Sequence, residues 1–393
     1  MSLTADTGVA AGRRTAWRGR ERRAVSRLAV SLRRVTLESW DREVEAFDDV
    51  VQEQLYAYAH TRWPSAAPEG LLFALGDEII GGTLVMIQKL PLHVGAIAVC
   101  KWGPMFRDAG RPDADLLYNA MIDALHAEYA VARGMMLSVL PRAVPAPRNR
   151  QYDLLAARGF RQGAVLRFPK RYIVDVRLDD AMQKQSLGQK WRYHLNKSLK
   201  AGLSFEVAGA ARLGEFDALY RAMTDRKQFP DHSAYETLPA LFELEVPALR
   251  PELFFVRHAG EVVAGAVIFK AGDTGVYLFG ATDDRALPLR AGYFLHWEII
   301  RWLRDNTRAR WYDLGGSDGF LGLHQFKKGM VGSAGVISDV PPVANRAAGP
   351  LPMLLGTAAF AGRELGHQLK RHADALFTSK ARPDLPRSRA EGD

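Results

Sequence analysis

The sequence holds a single cysteine, Cys100, so no disulfide can close within the chain and no zinc site built from several thiolates can assemble. Its longest apolar stretch, residues 350–362, falls short of the roughly 20 residues that a membrane-spanning helix requires. Arginines interrupt the N-terminal region throughout, which is unlike the apolar segment of a secretory signal, and cytoplasmic residence is the expectation. Histidines and carboxylates do not occur together at the helical spacing of a metal site, so no metal is expected. Neither a G-x-S-x-G nucleophile elbow nor a cysteine-nucleophile context is present. A P-loop and a G-x-G-x-x-G dinucleotide fingerprint are missing as well. Acyl transfer by direct attack of a bound amine survives these exclusions, because it needs no covalent enzyme intermediate.

Charge is present but unevenly placed. The formal net charge is +9; residues 1–34 hold nine arginines against Asp6 and Glu21, and residues 343–393 hold eight basic and five acidic groups. The middle is therefore close to neutral, which does not fit a protein that binds nucleic acid over its whole surface. The leader reads as a solvated arm; its functional alternative is attachment to acidic lipid or RNA phosphates. Residues 363–377 place Leu365, Leu369, His372 and Leu376 at helical spacing beside Lys370 and Arg371, an amphipathic pattern that suits either a membrane surface or the second domain.

The most informative feature is internal repetition. Asp77-Glu78-Ile79-Ile80-Gly81-Gly82-Thr83-Leu84-Val85 returns at an offset of 183 positions as Gly260-Glu261-Val262-Val263-Ala264-Gly265-Ala266-Val267-Ile268. Each copy follows an apolar run, Leu71 to Leu75 or Leu253 to Val256, so each predicts a β-hairpin with its turn at Gly76-Asp77 or Ala259-Gly260. A helical stretch and a strand follow in both, at 114–133 and 135–140 in the first copy and at 291–304 and 310–314 in the second. A duplicated module predicts two similar α/β domains facing each other across a cleft. The expected division is a basic leader over 1–30, domains over 31–170 and 171–340, and a tail over 341–393 carrying the amphipathic helix. A single helix is expected from about 41 to 61.

Candidate functional residues concentrate in the second copy. Leu187, Trp191, Leu195 and Leu199 form an i, i+4 stripe, with Lys190 and Lys197 projecting elsewhere and Arg192 bordering the stripe. Glu298 sits on the apolar face of the second repeat helix, where pairing with an arginine is expected. The strand Trp311-Tyr312-Asp313-Leu314 runs into Gly315-Gly316-Ser317-Asp318-Gly319 and then Gly322-Leu323-His324-Gln325-Phe326-Lys327-Lys328-Gly329. Glycines after a strand permit a tight turn or close backbone approach to a ligand, and a lysine behind such a turn can stabilise an oxyanion or hold a phosphate.

Placed in order, these segments resemble the Fem-like transferases, tandem GNAT-fold proteins that include the peptidoglycan interpeptide-bridge aminoacyltransferases. The resemblance spans residues 70 to 335 and rests on three pieces. Trp102-Gly103-Pro104 is similar to the family's Gly-Pro turn. Tyr172-Ile173-Val174-Asp175-Val176 with Lys190-Trp191-Arg192 is similar to its interdomain strand and Lys-x-Arg helix, and Tyr312-Asp313-Leu314-Gly315-Gly316 with Gly322 to Lys327 to its closing motif. The long coiled-coil hairpin that many bridge-forming members insert is missing, and Asp108 falls one place later than the family's acidic position.

The resemblance implies two tandem GNAT-like domains in a mixed α/β fold. It implies catalytic roles for Lys327, at the tetrahedral intermediate, and Tyr277, at a carbonyl or a proton. It implies substrate binding by Arg192, Lys190, Asp313, Gly315 and Gly316. The helix start at Ala291-Gly292 would receive the phosphates of a donor such as acyl-CoA through free N–H groups. The function implied is N-acyl transfer, from acyl-CoA or aminoacyl-tRNA, to an amine on a cell-envelope or polysaccharide precursor. The partners implied are an anionic or lipid-linked precursor and tRNA, with peripheral membrane contact through the basic termini. The competing expectation is a non-catalytic binding protein of the same duplicated fold.

Overall fold

A computed structural model describes residues 30–227 and 234–363. The basic leader, His232 and nearly all of the expected 363–377 helix lie outside these residues.

The strands run in chain order from β1 (Val30–Val35), β2 (Ala67–Leu75), β3 (Glu78–Lys89), β4 (Ala96–Lys101), β5 (Met105–Phe106), β6 (Met136–Leu140) and β7 (Arg161–Gln162) through β8 (Lys170–Asp175). They continue with β9 (Leu203–Ala208), β10 (Glu252–His258), β11 (Glu261–Phe269), β12 (Thr274–Thr282), β13 (Trp311–Asp313), β14 (Val336–Asp339) and β15 (Ala344–Arg346). The first sheet has the order β1-β2-β3-β4-β6-β15-β7, with β5 on β3, and the second the order β9-β10-β11-β12-β13-β8-β14. Apart from β5, the two sheets are the same arrangement strand for strand. Both expected hairpins are present, β2–β3 and β10–β11, and each carries a bulge at the corresponding point, after Phe73 and after Val256. The 183-residue offset therefore extends to a local irregularity of the backbone.

The repeats also exchange a strand. β8 follows the first repeat in sequence yet lies between β13 and β14; β15 follows the second repeat and lies between β6 and β7. Each sheet is completed by the other repeat's last strand. The expected tail from residue 341 thus begins inside the first domain, because Ala344 to Arg346 pair with Leu137 to Val139. Residues 350–363 are helical, and Met353, Leu355, Ala359 and Phe360 pack on Leu90, Ile97 and Met136 of the first sheet.

The helices that matter to the site or the seam are α1 (Leu37–Val44), α2 (Tyr56–Arg62), α3 (Ala114–Leu125), α4 (Arg150–Ala157), α5 (Gln189–Ser198), α6 (Leu213–Lys227), α7 (Ala291–Asn306) and α8 (Leu321–Val331). The single helix expected over 41–61 is two helices, α1 and α2. Between them Asp48 and Asp49 turn their carboxylates onto backbone N–H groups, Asp48 accepting from Ala109 and Asp49 from Phe106. Short acidic side chains that bond the backbone compete with helix continuation.

That break forms the domain seam. Phe47, Val50 and Val51 join Leu241, Leu244, Leu249, Phe269 and Val276 of the second repeat in one hydrophobic cluster. Arg308 donates to the carbonyls of Ala46 and Phe47, and Asp273 N–H to Asp48 O at 2.8 Å. Gly272 has φ +77°, and a Cβ there would lie 2.6 Å from Asp48 O, so glycine is required for this approach.

Candidate active site

β12 and β13 run parallel, with Thr274 beside Trp311 and Val276 beside Asp313. There β13 ends, whereas β12 continues to Thr282, so the two strands part. Carbonyls just past the end of a strand lose their ladder partners and must be satisfied otherwise. Lys327 supplies the partner: its Nζ donates to Leu314 O at 2.6 Å and to Gly316 O. Gly315, at φ +75°, makes the turn that presents both carbonyls to one ammonium.

Lys327 returns to this point from α8 and is 6% exposed. Burial, reinforced by the Arg171 charge, pulls the ammonium down to about 8, against the opposing pull of Asp313 and Asp318. An ammonium has three donors, and two are spent on carbonyls. The third is uncommitted beside Tyr277, whose ring centroid is 5.8 Å from Nζ.

Arg171 and Asp313 form the support beneath. The guanidinium of Arg171 meets Asp313 through Nε at 3.1 and 3.0 Å and through Nη2 at 2.8 Å, and Asp313 Oδ1 also accepts the Gly315 N–H at 2.9 Å. Burial lowers the proton affinity of Arg171, but Asp313 more than offsets this and holds it above its ordinary value. Asp313 was expected to bind substrate. Its carboxylate is instead committed to Arg171 and to the glycine turn, which makes it a holder of the loop. Tyr172 on β8 contributes in the same way, its hydroxyl donating to Ser317 at 3.3 Å and lying 2.6 Å from His324 Nδ1.

Tyr277 is half-buried, and burial holds its phenol well above the ordinary range. It stays protonated, suiting it to donate a hydrogen bond rather than to act as a base. A Cβ on Gly280 would fall 1.7 Å from the Tyr277 hydroxyl, so any side chain there displaces the phenol. Gly280→Ala is expected to lower turnover about tenfold, the worth of one hydrogen bond, with little change in melting temperature. Tyr277→Phe should show a similar loss, and the double substitution little more than either. Additive losses would mean that Gly280 acts on another group.

His296 on α7 is buried, with Nδ1 3.1 Å from the Tyr312 hydroxyl. Burial, then the Lys327 charge, pushes it down to about 3. The unfolded chain takes up a proton at a histidine pKa of about 6.5, while the native chain refuses it until about 3, so stability falls as pH drops across that window. The slope contributed is about 1.4 kcal/mol per pH unit. Asp41 and Asp49, both raised to about 6 by burial, work in the opposite sense below pH 6. The expected observation is therefore a difference: wild-type minus His296→Gln stability, from urea unfolding, declines steadily on acidification from neutral pH.

The other expected residues lie around this centre. Trp191 and Leu195 of α5 are buried as the stripe requires, but Leu199 is 44% exposed because α5 ends at Ser198. Arg192 is half-buried and spends one N–H on Gln185 O at 2.6 Å; Lys190 is exposed. Neither touches the Lys327 cluster directly. Their helix does reach it, since Gly188 N–H donates to Gly329 O at 2.8 Å, bringing α5 against α8. At the start of α7, Ala291 is fully buried whereas Gly292 faces open space. Tyr293, next along, meets Trp191 at 5.0 Å and Phe326 at 4.9 Å between ring centroids. One aromatic cluster thus joins the helices that carry Arg192, Gly292 and Lys327. Glu298 pairs with Arg301 at 3.0 Å, as its place on an apolar face required.

Arg171 and His296 were not legible as site residues. The available signal was an arginine at the start of an apolar strand and an aspartate within another, a pattern that only pairing of β8 with β13 explains. Two cavities lie at the domain seam. One of about 60 Å³ includes Asp313 with Asp49, Arg142, Asp273 and Thr274 in its lining. A larger one of about 510 Å³ is walled by Asp48, Glu78, Arg107, Asp108, Arg111 and Arg308 and shares no residue with the Lys327 cluster. Among the described residues no group of side chains could hold a metal ion, and no helix is long and apolar enough to cross a membrane.

Residues 185–328 match the Acetyltransferase (GNAT) domain family. Comparison with curated proteins finds no match. Among solved structures, the chain is similar to FemX, with a TM-score of 0.64 and 16% identity over 80% of this chain and 96% of that one. It is also similar to a conserved protein of unknown function from Bacteroides thetaiotaomicron VPI-5482, with a TM-score of 0.52 and 14% identity over 81% of this chain and 100% of that one. At these identities the likeness is one of fold. The chain has a tandem GNAT-type fold similar to that of FemX, with its matched acetyltransferase domain in the second repeat.

Proposed function

We propose that the protein is an N-acyltransferase, moving an acyl or aminoacyl group from acyl-CoA or aminoacyl-tRNA to an amine on a cell-envelope or polysaccharide precursor. The observation that carries this reading is Lys327, a buried ammonium fixed by two carbonyls with its third donor free at the point where two parallel strands part. The amine attacks the donor's carbonyl carbon, the C–N bond forms, and the carbonyl electrons move to oxygen. That oxyanion would receive the free Lys327 N–H, with the protonated Tyr277 as second donor. Collapse breaks the bond to the thiol sulfur or ribose oxygen, and the proton lost by the amine ends on that departing atom, giving amide plus free thiol or hydroxyl. A fixed donor costs no reorganisation when the charge develops, which is why a clamped lysine suits the task better than a mobile one.

Arg192 retains four of its five N–H groups and, with Lys190, would take an anionic group of the substrate. The carbonyl and turn geometry of Gly315 and Gly316 would border the reacting atoms. The open backbone at Gly292, following the buried Ala291, would face donor phosphates.

The test uses the purified full chain with labelled acetyl-CoA, and separately with labelled aminoacyl-tRNA, plus an amine-bearing precursor. Transfer from one donor that disappears in Lys327→Ala is the expected result. Tight precursor binding with no transfer from either donor would replace the enzyme reading by that of a binding protein.

A further inference from the structure

The loop between β7 and β8 leaves Val165, Leu166 and Phe168 exposed at 57, 40 and 41%, and α8 opens on Leu321 at 68%. These residues share one rim. A Cβ on Gly319, two residues before Leu321, would lie 2.9 Å from the Phe168 ring, so the β7–β8 loop rests against the loop that leads to Lys327. Cations are interleaved with the apolar side chains. The Arg167 guanidinium lies 5.1 Å from the Phe168 ring centroid, Lys170 is exposed and meets Asp339 at 3.5 Å, and Lys328 is exposed. Leu321 and Lys328 are seven residues apart on α8, hence on one face about 10 Å apart. The acidic members of the same rim are Asp339, paired with Lys170, and Asp318, whose charge acts on Arg171 and Lys327.

We infer that this rim is a membrane-docking surface for a bilayer with anionic headgroups, which places the mouth of the Lys327 site at the lipid interface. Loops that project aliphatic and aromatic side chains among Arg and Lys suit the headgroup boundary: the apolar parts enter the acyl region while the cations stay at phosphate level. The net charge of +9 and the nine arginines within residues 1–34 add attraction to the same surface. A second copy of this chain fits less well. Symmetric pairing would bring two copies of the same cationic rim together, and four side chains fall far short of the roughly 800 Å² per partner of a stable protein interface. Reversible binding to lipid needs only a few buried side chains.

Sedimentation of the full chain with vesicles of phosphatidylcholine, with and without phosphatidylglycerol, tests the inference. Because no donor or acceptor is present, the outcome is independent of the acyl-transfer reading. The expected result is binding to the anionic vesicles that weakens at least about tenfold in a Val165→Asp, Leu166→Asp, Leu321→Asp variant. These positions are exposed, so the variant's melting temperature should match the wild type. A second variant with Arg13, Arg14, Arg18, Arg20, Arg22 and Arg23 changed to Gln should weaken binding less. The inference is overturned if the wild type does not bind anionic vesicles, or if the rim variant binds as well as the wild type. Abolition of binding by the leader variant, or a change from dimer to monomer in the rim variant, overturns it too.

Discussion

Lys327→Ala is expected to lower kcat by about a hundred- to a thousandfold, the usual cost of removing one preorganised oxyanion donor, with a smaller effect on KM. The split follows from where the third N–H is available. A neutral ground-state carbonyl gains little from it, whereas the tetrahedral oxyanion gains most, so the loss belongs to the transition state. Lys327→Met is the sharper variant, because it keeps the volume of the buried stem and removes only the charge and the donors. It leaves the Leu314 and Gly316 carbonyls short of a partner, so stability should be measured in parallel and the activity loss compared with it. The pH dependence supplies an independent check. With its ammonium lowered to about 8, Lys327 is a cation below that pH and loses its proton as pH rises through it. The falling limb of kcat should therefore lie near pH 8, far below an ordinary lysine. Arg171→Gln removes the largest charge that depresses Lys327 and should move that limb upward. A limb that stays near pH 8 in Arg171→Gln, or that survives in Lys327→Met, would assign it to another group.

The architecture was largely legible because duplication doubles every signal. The hairpins recur at a fixed offset with an apolar run, a turn and one shared glycine position, Gly82 and Gly265, and the helix–strand pairs follow in the same order. What the linear pattern could not show was the exchange of β8 and β15, since a strand's partner is a property of the folded chain: Tyr172 to Val176 read simply as a strand, and residues 344–346 as part of the tail. The site was legible in part. The glycines after β13 and the lysine behind them mark a turn with a cation, and that is where Lys327, Gly315 and Gly316 meet. The pairing of Asp313 with Arg171 was not readable, because Arg171 lies 142 residues away and only the β8–β13 register brings them together. The helix over 41–61 failed for a related reason. Its apolar positions keep helical period, but Asp48 and Asp49 are drawn to backbone groups near residues 106–109, and tertiary bonds overrode the local pattern.

The Arg171–Asp313 pair carries the second large effect, on stability. Asp313→Ala is expected to destabilise the protein by about 3 kcal/mol, because it leaves the half-buried Arg171 guanidinium without its main counter-charge. It also removes the acceptor of the Gly315 N–H, so the turn that presents Leu314 and Gly316 to Lys327 loses its anchor. Activity should fall along with stability. The double variant Arg171→Met with Asp313→Leu separates the two consequences. Replacing both partners by apolar groups of similar size removes the unpaired charge, and such exchanges are often close to neutral. Most of the stability measured by urea unfolding should therefore return. Activity should not return with it, since Gly315 still lacks its acceptor and the turn that presents Leu314 and Gly316 to Lys327 stays unanchored. Recovery of both would make the pair a structural filler with no part in shaping the site. Recovery of neither would mean that the bidentate geometry itself holds β8 to β13. The intermediate result, a stable protein with a misplaced lysine, is the one that ties the exchanged strand β8 to the chemistry.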